Sequence, residues 1–141
     1  MQWPTERHTT GLLRTVPAIC DAAAVLVASV ADPPAGGLAP TGPLGLVGVD
    51  KWLHAVGYAV LAALLAYALW ATTARQIATA VGITVTYGAG IEVVQAFHPL
   101  RAFGAGDLFA NAVGAAVVGL TLWLETRRRA RDRNSVTSAT E

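Results

Sequence analysis

Apolar residues gather along the chain into four windows, residues 11–31, 52–71, 76–97 and 108–124. A helix that crosses a bilayer needs about 20 mostly apolar residues, and each window approaches that length, the fourth being the shortest. Polar interruptions are few. The first window carries Arg14 and Asp21, the third carries Glu92, and the second and fourth carry no formal charge. Trp52 and Trp70 mark the two ends of the second window, and Trp123 marks the end of the fourth. An aromatic belt at the membrane surface places tryptophan in such positions. Irregular backbone is not tolerated facing lipid, so each window is expected to be a helix. The pattern therefore predicts an all-α, integral-membrane four-helix bundle. Between the first two windows, half of residues 32–49 are Gly or Pro, a composition that forms no long helix or strand. The apolar stretch from Leu44 to Val49 suits the interface, or a lid over the end of the bundle.

Composition agrees with this pattern. Of 141 residues, 54% are hydrophobic and 13% are charged, against about 25% charged in soluble domains. One domain fits the length. The single cysteine, Cys20, excludes an internal disulfide and a cysteine-built metal site. A net charge of +1 gives no reason to expect a nucleic-acid partner.

The basic residues are distributed unevenly. With four spans, Arg7, Arg14, Arg75, Arg127, Arg128, Arg129, Arg131 and Arg133 fall on one side, and Lys51 and Arg101 on the other. By the positive-inside rule both termini are then cytoplasmic, in a multi-pass cell-membrane protein. Residues 1–10 form a cytoplasmic N-terminus, 11–125 the membrane domain and 126–141 an Arg-rich cytoplasmic tail. That tail reads as a stop-transfer flank rather than a nucleic-acid arm. The first window has a rival reading as a signal peptide ending at Ser29 and Ala31, which Asp21 and its length oppose. For Asp21, local pairing with Arg14 outweighs proton handling.

Polar side chains inside spans are costly and mark functional suspects. Here they form three stripes at helical spacing. Asp50, Lys51, His54 and Tyr58 open the second helix, Glu92 and Gln95 close the third, and Asp107 and Asn111 open the fourth, with Arg101 in the loop between. All three stripes lie at one depth, in the outer half of the membrane, so one shared inward-facing cluster is expected. The side-chain tips of Asp50, His54, Glu92, Arg101 and Asp107 are expected within roughly 10 Å of one another. Lys51 is the only lysine beside nine arginines. An ammonium serves as a point charge for phosphate or as a tunable acid or base.

Structural explanations compete with functional ones. Asp50 and Asp107 each precede an apolar run, the N-cap position. Asn111 and Gln95 can join helices by hydrogen bonds, Tyr58 can anchor at the interface, and His54 can be a packing residue. Glu92 stands about 8 Å inside its helix end and needs a partner, which Arg101, Lys51 or His54 is expected to supply. Gly82, Thr86 and Gly90 line the far side of the third helix, while Ala110/Gly114 and Ala115/Gly119 form small pairs on the fourth. Such rows favour close packing within the bundle over a homo-oligomer face.

Three pieces, Asp50-Lys51-x-x-His54-x-x-x-Tyr58, Glu92-x-x-Gln95-x-Phe97-x-Pro99-x-Arg101 and Asp107-x-x-x-Asn111-x-x-Gly114, together resemble the VanZ-like family of small membrane proteins. The resemblance covers residues 32–124, the first helix matching only in character. It implies a role at the cell envelope, in a family named for a protein that lowers susceptibility to the glycopeptide teicoplanin. It implies no reaction and no cofactor.

The functional expectation is an outward-facing polar pocket for an anionic envelope molecule, either a membrane lipid head group or a lipid-linked envelope precursor. In a catalytic version His54 or Glu92 serves as acid or base. Asp107, Asn111 and Gln95 then orient these groups or hold a divalent cation, with Asp107 grouped among the catalytic residues. Lys51 and Arg101 hold the phosphate, with Asp50 and Tyr58 as further binding residues. Zinc held by His54, Glu92 and Asp107 is disfavoured, because the three lie on separate helices without a close-spaced signature. A non-catalytic scaffold is the alternative, and a small dimeric transporter a third. Transport would need an acid/base chain through the cytoplasmic half, where only Asp21 is available.

Overall fold

The computed structural model describes residues 5–31, 41–97 and 104–138, side chains of 5–10, 44 and 136–138 excepted. Four helices account for nearly all of them: α1 (Thr5–Val30), α2 (Val49–Ala68), α3 (Ala74–Ala96) and α4 (Ala105–Ser138), with a 3-10 turn at Pro43–Gly45. No strand occurs among the described residues. All four helices are long and apolar enough to cross a membrane, and the chain is a multi-pass membrane protein.

Contacts set the helix directions: Lys51 and Ala55 meet Asp107 and Gly114 in the same order, and Ala22 and Ser29 meet Tyr87 and Gln95 in the same order, so α2 runs parallel to α4 and α1 to α3. Three glycines show how close the packing is. A methyl group at Gly114 would land on the Ala55 carbonyl oxygen, which brings α4 against the α2 backbone. A methyl at Gly119 would meet Val81 Cγ2 at 2.7 Å, and one at Gly88 would meet Tyr58 Cε1 at 2.7 Å. The small pairs of α4 thus serve intramolecular packing, as Ala110 and Ala115 are also buried. Gly82 and Gly90 instead face open space. α1 is the most peripheral helix. Two side chains of α3 tie it on, Tyr87 Oη donating to the Ala22 carbonyl at 2.6 Å and Gln95 Nε2 to the Ser29 carbonyl at 2.7 Å.

Helix ends differ from the sequence expectation in ways that matter for the site. α2 starts at Val49 with Gly48 as its N-cap, so Asp50 lies inside the first turn and does not cap. α4 starts at Ala105, and Asp107 is likewise a first-turn acid. Both acids stand near the positive end of a helix dipole, where a carboxylate is favourable without being a cap. α4 also exceeds its apolar window, continuing as helix through the Arg-rich segment to Ser138. Its 34 residues measure about 51 Å, more than a hydrocarbon core of about 30 Å, so its end must project beyond the apolar layer. At the start of α3, Thr73 and Gln76 form a reciprocal capping box.

Candidate functional site

The polar residues of α2, α3 and α4 meet at one end of the bundle, in two tiers. The outer tier is an ion-pair triad. Lys51 Nζ lies 2.5 Å from Asp50 Oδ2 and 2.5 Å from Asp107 Oδ1, linking the first turns of α2 and α4. These side chains keep contact with the surface, at 33% exposure for Lys51, 43% for Asp50 and 19% for Asp107. Gly106 lies alongside, since a methyl there would meet Lys51 Cε at 3.1 Å.

The inner tier is buried except at His54, which stays partly accessible. Tyr58, Glu92 and Asn111 have no exposed surface, and Gln95 has 3%. His54 Nδ1 and Asn111 Oδ1 are 3.0 Å apart, a hydrogen bond in which the ring nitrogen carries the proton because the amide oxygen only accepts. The His54 and Tyr58 rings lie stacked, one helical turn apart, with centroids 6.2 Å from each other. Tyr58 and the Asn111 amide converge on Gly88 of α3, where a methyl group would meet both. A larger residue at Gly88 would push α2 and α4 off α3.

Among the described residues, Glu92 has a partner that the sequence does not single out. Its Oε2 accepts the Gly104 backbone N–H at 2.9 Å. Neither Lys51 nor His54 reaches it: Lys51 is engaged by two aspartates and His54 by Asn111. Arg101, the third expected partner, lies outside the described residues. The physical reason lies in α4. The Gly104 carbonyl accepts the first helical N–H groups, from Asp107 at 2.9 Å and Leu108 at 3.0 Å. Glu92 therefore sits at the positive end of the α4 dipole, which favours an acidic side chain at that point.

Contacts run continuously from Asp50 through Lys51 to Asp107, whose carboxylate folds back against Gly104, and from Gly104 to Glu92. Gln95 stands apart, because its amide is turned toward α1. Several polar atoms of the inner tier have no hydrogen-bond partner among the described residues: Tyr58 Oη, Glu92 Oε1, Gln95 Oε1 and the Asn111 amide nitrogen. The arrangement thus combines an accessible charged rim with a buried network that holds α2, α3 and α4 in register. Among the described residues, no three His, Cys, Asp or Glu side chains are grouped to hold a metal ion.

Asp21 and Arg14 do not form the expected pair. Arg14 instead lies over the Tyr67 ring at 3.9 Å and the Trp70 ring at 3.3 Å. Asp21 Oδ2 is buried without a partner. The turn at Pro43–Gly45 closes through a Gly42 N–H to Val47 carbonyl bond of 2.6 Å and rests against Trp52, beside the charged rim. Leu46 and Val47 of this turn are exposed, as suits insertion at an interface; residues 32–40 lie outside the described residues. No family model, curated protein or solved structure matches the chain.

Proposed function

We propose that this chain is a VanZ-like protein of the cell membrane whose charged rim, on the extracytoplasmic side, binds an anionic envelope molecule, a lipid head group or lipid-linked phosphate. One observation carries the reading. Among the few charged residues of the spans, Asp50, Lys51 and Asp107 come from two different helices and meet at a part-exposed rim. Two carboxylates hold the Lys51 ammonium in place, and a phosphate can replace either one as its counter-ion. The displaced carboxylate then loses its cation, and the rim holds two carboxylates to one ammonium, so an anion binds there only with a second cation beside Lys51. Arg101 supplies the second cation in this reading. Tyr58, Glu92 and Asn111 support the rim from beneath. Their burial supports binding rather than a chemical step, because a substrate reaches them only if the helices part.

The same burial favours a second reading, in which the whole cluster is a helix-register lock in a non-catalytic partner subunit. Profiling of lipids and cell-wall precursors separates the two. A deletion strain is complemented with wild type, Lys51→Ala or Asp107→Asn, and the membrane abundance of each protein is measured in parallel. Binding predicts normal abundance of both variants with a precursor profile like that of the deletion. Loss of effect in proportion to abundance supports the lock, and an unchanged profile on deletion overturns the envelope role.

A further inference from the structure

At the opposite end of the bundle stands a second cluster that the polar rim does not involve. Arg14 lies within the apolar stretch of α1, Tyr67 in the last turn of α2 and Trp70 just beyond it. The guanidinium of Arg14 sits over both rings, at 3.9 Å from the Tyr67 centroid and 3.3 Å from that of Trp70. His54 and Trp70 are 16 positions apart, roughly 24 Å at the helical rise, so this cluster and the rim belong to opposite membrane faces.

Two features separate this cluster from casual surface stacking. First, Trp70 has a φ of 51°, the left-handed position that ends α2: the Ala71 N–H bonds the Ala66 carbonyl at 2.9 Å and the Trp70 N–H the Tyr67 carbonyl at 3.2 Å, so a hydrogen-bonded helix ending fixes the place of the ring. Second, Arg14 has no hydrogen-bond or ion-pair partner among the described residues, and its Nε is buried without one. With Nε buried, the terminal N–H groups at the edge of the guanidinium are the ones left to meet two oxygens of one phosphate. An unpaired cation inside an apolar span also requires a counter-charge. The anion present at that depth in a bilayer is the phosphate of a lipid head group. Trp70 and Tyr67 are 65% and 52% exposed, so the lipid has access.

We propose that Arg14, bracketed by Tyr67 and Trp70, binds the phosphate of an anionic phospholipid at the membrane face opposite the polar rim. The full chain, purified in mild detergent, is titrated with phosphatidylglycerol or phosphatidylcholine and the bound lipid counted by native mass spectrometry. Wild type is expected to prefer phosphatidylglycerol, and Arg14→Gln to weaken that lipid about fivefold, the effect of one arginine at a charged lipid surface. The Arg-rich tail contributes equally to both proteins. Arg14→Lys and Trp70→Leu, which keep a positive charge, are expected to weaken binding in the same direction. Trp70→Leu carries the test if Arg14→Gln fails to accumulate. Unchanged phosphatidylglycerol affinity in Arg14→Gln overturns the site, and unchanged affinity in both Arg14→Lys and Trp70→Leu overturns the ring-bracketed geometry. Displacement of the lipid by inorganic phosphate identifies free phosphate as the ligand and overturns the lipid assignment.

Discussion

Glu92 has no exposed surface, and its two oxygens are in different situations: Oε2 accepts the Gly104 N–H, while Oε1 has no partner. Replacing it tests what a charge at this point contributes. Glu92→Gln keeps the volume and an acceptor oxygen but removes the carboxylate from the α4 dipole, a loss of about 1 kcal/mol. Glu92→Ala also leaves the Gly104 N–H unsatisfied and opens a cavity, so a loss of about 2–5 kcal/mol is expected. Unfolding in mixed micelles, followed by tryptophan fluorescence, measures both. Equal losses would show that the Gly104 contact contributes nothing. The need for a partner is legible in the sequence, because Glu92 is the only charge of its span. The partner is not, since a backbone N–H leaves no mark in the residue pattern and only cationic side chains come into view. Arg14 illustrates the same limit. Spacing along α1 points to Asp21, whereas two rings from α2 outcompete it through tertiary contact.

Small residues spaced four apart occur on both α3 and α4, yet they play different parts in the bundle. Gly114 carries the close crossing of α4 on α2, where a side chain meets the Ala55 backbone, which cannot give way as a rotamer can. Gly114→Ala is expected to destabilise by about 1–3 kcal/mol, the usual cost of overpacking. Gly82 faces open space, so Gly82→Ala is expected to be neutral or to stabilise by up to about 1 kcal/mol through helix propensity. Thermal melting of the two variants in one detergent decides the matter, and a Gly82→Ala protein as damaged as Gly114→Ala would place a partner on that face. The sequence reveals both rows but not which turns inward, because that depends on where the neighbouring helix lies. The four helices themselves are legible from hydrophobic length alone. Their ends are not, because counting apolar residues stops at Trp52 and Leu124. Hydrogen bonding continues through Asp50 and Lys51 at one end, and at the other through Glu125, five arginines and Ala130, which are good helix formers.

At the scale of the whole molecule, the bundle carries charged and polar groups at the end where α2 and α4 begin, and arginine with aromatic rings at the other. Arg127 stacks on Trp123 at 3.8 Å beyond the apolar part of α4, repeating the association of Arg14 with Trp70. The positive-inside bias predicts a cytoplasmic position for the end rich in arginine, and the proposed envelope role requires the Asp50–Lys51–Asp107 rim to face outward. Geometry alone does not orient a bundle, so this is decided by labelling. In a Cys20→Ser background, Leu46→Cys places a thiol on the turn beside Trp52, where the side chain is 76% exposed, and Arg131→Cys places one on the projecting end of α4. A membrane-impermeant maleimide added to intact cells is expected to label Leu46→Cys at once and Arg131→Cys only after permeabilisation. The reverse pattern would put the rim in the cytoplasm. Lys51 would then meet cytoplasmic-leaflet phosphates, and a role on externally displayed precursors would be excluded even if every contact within the bundle stands.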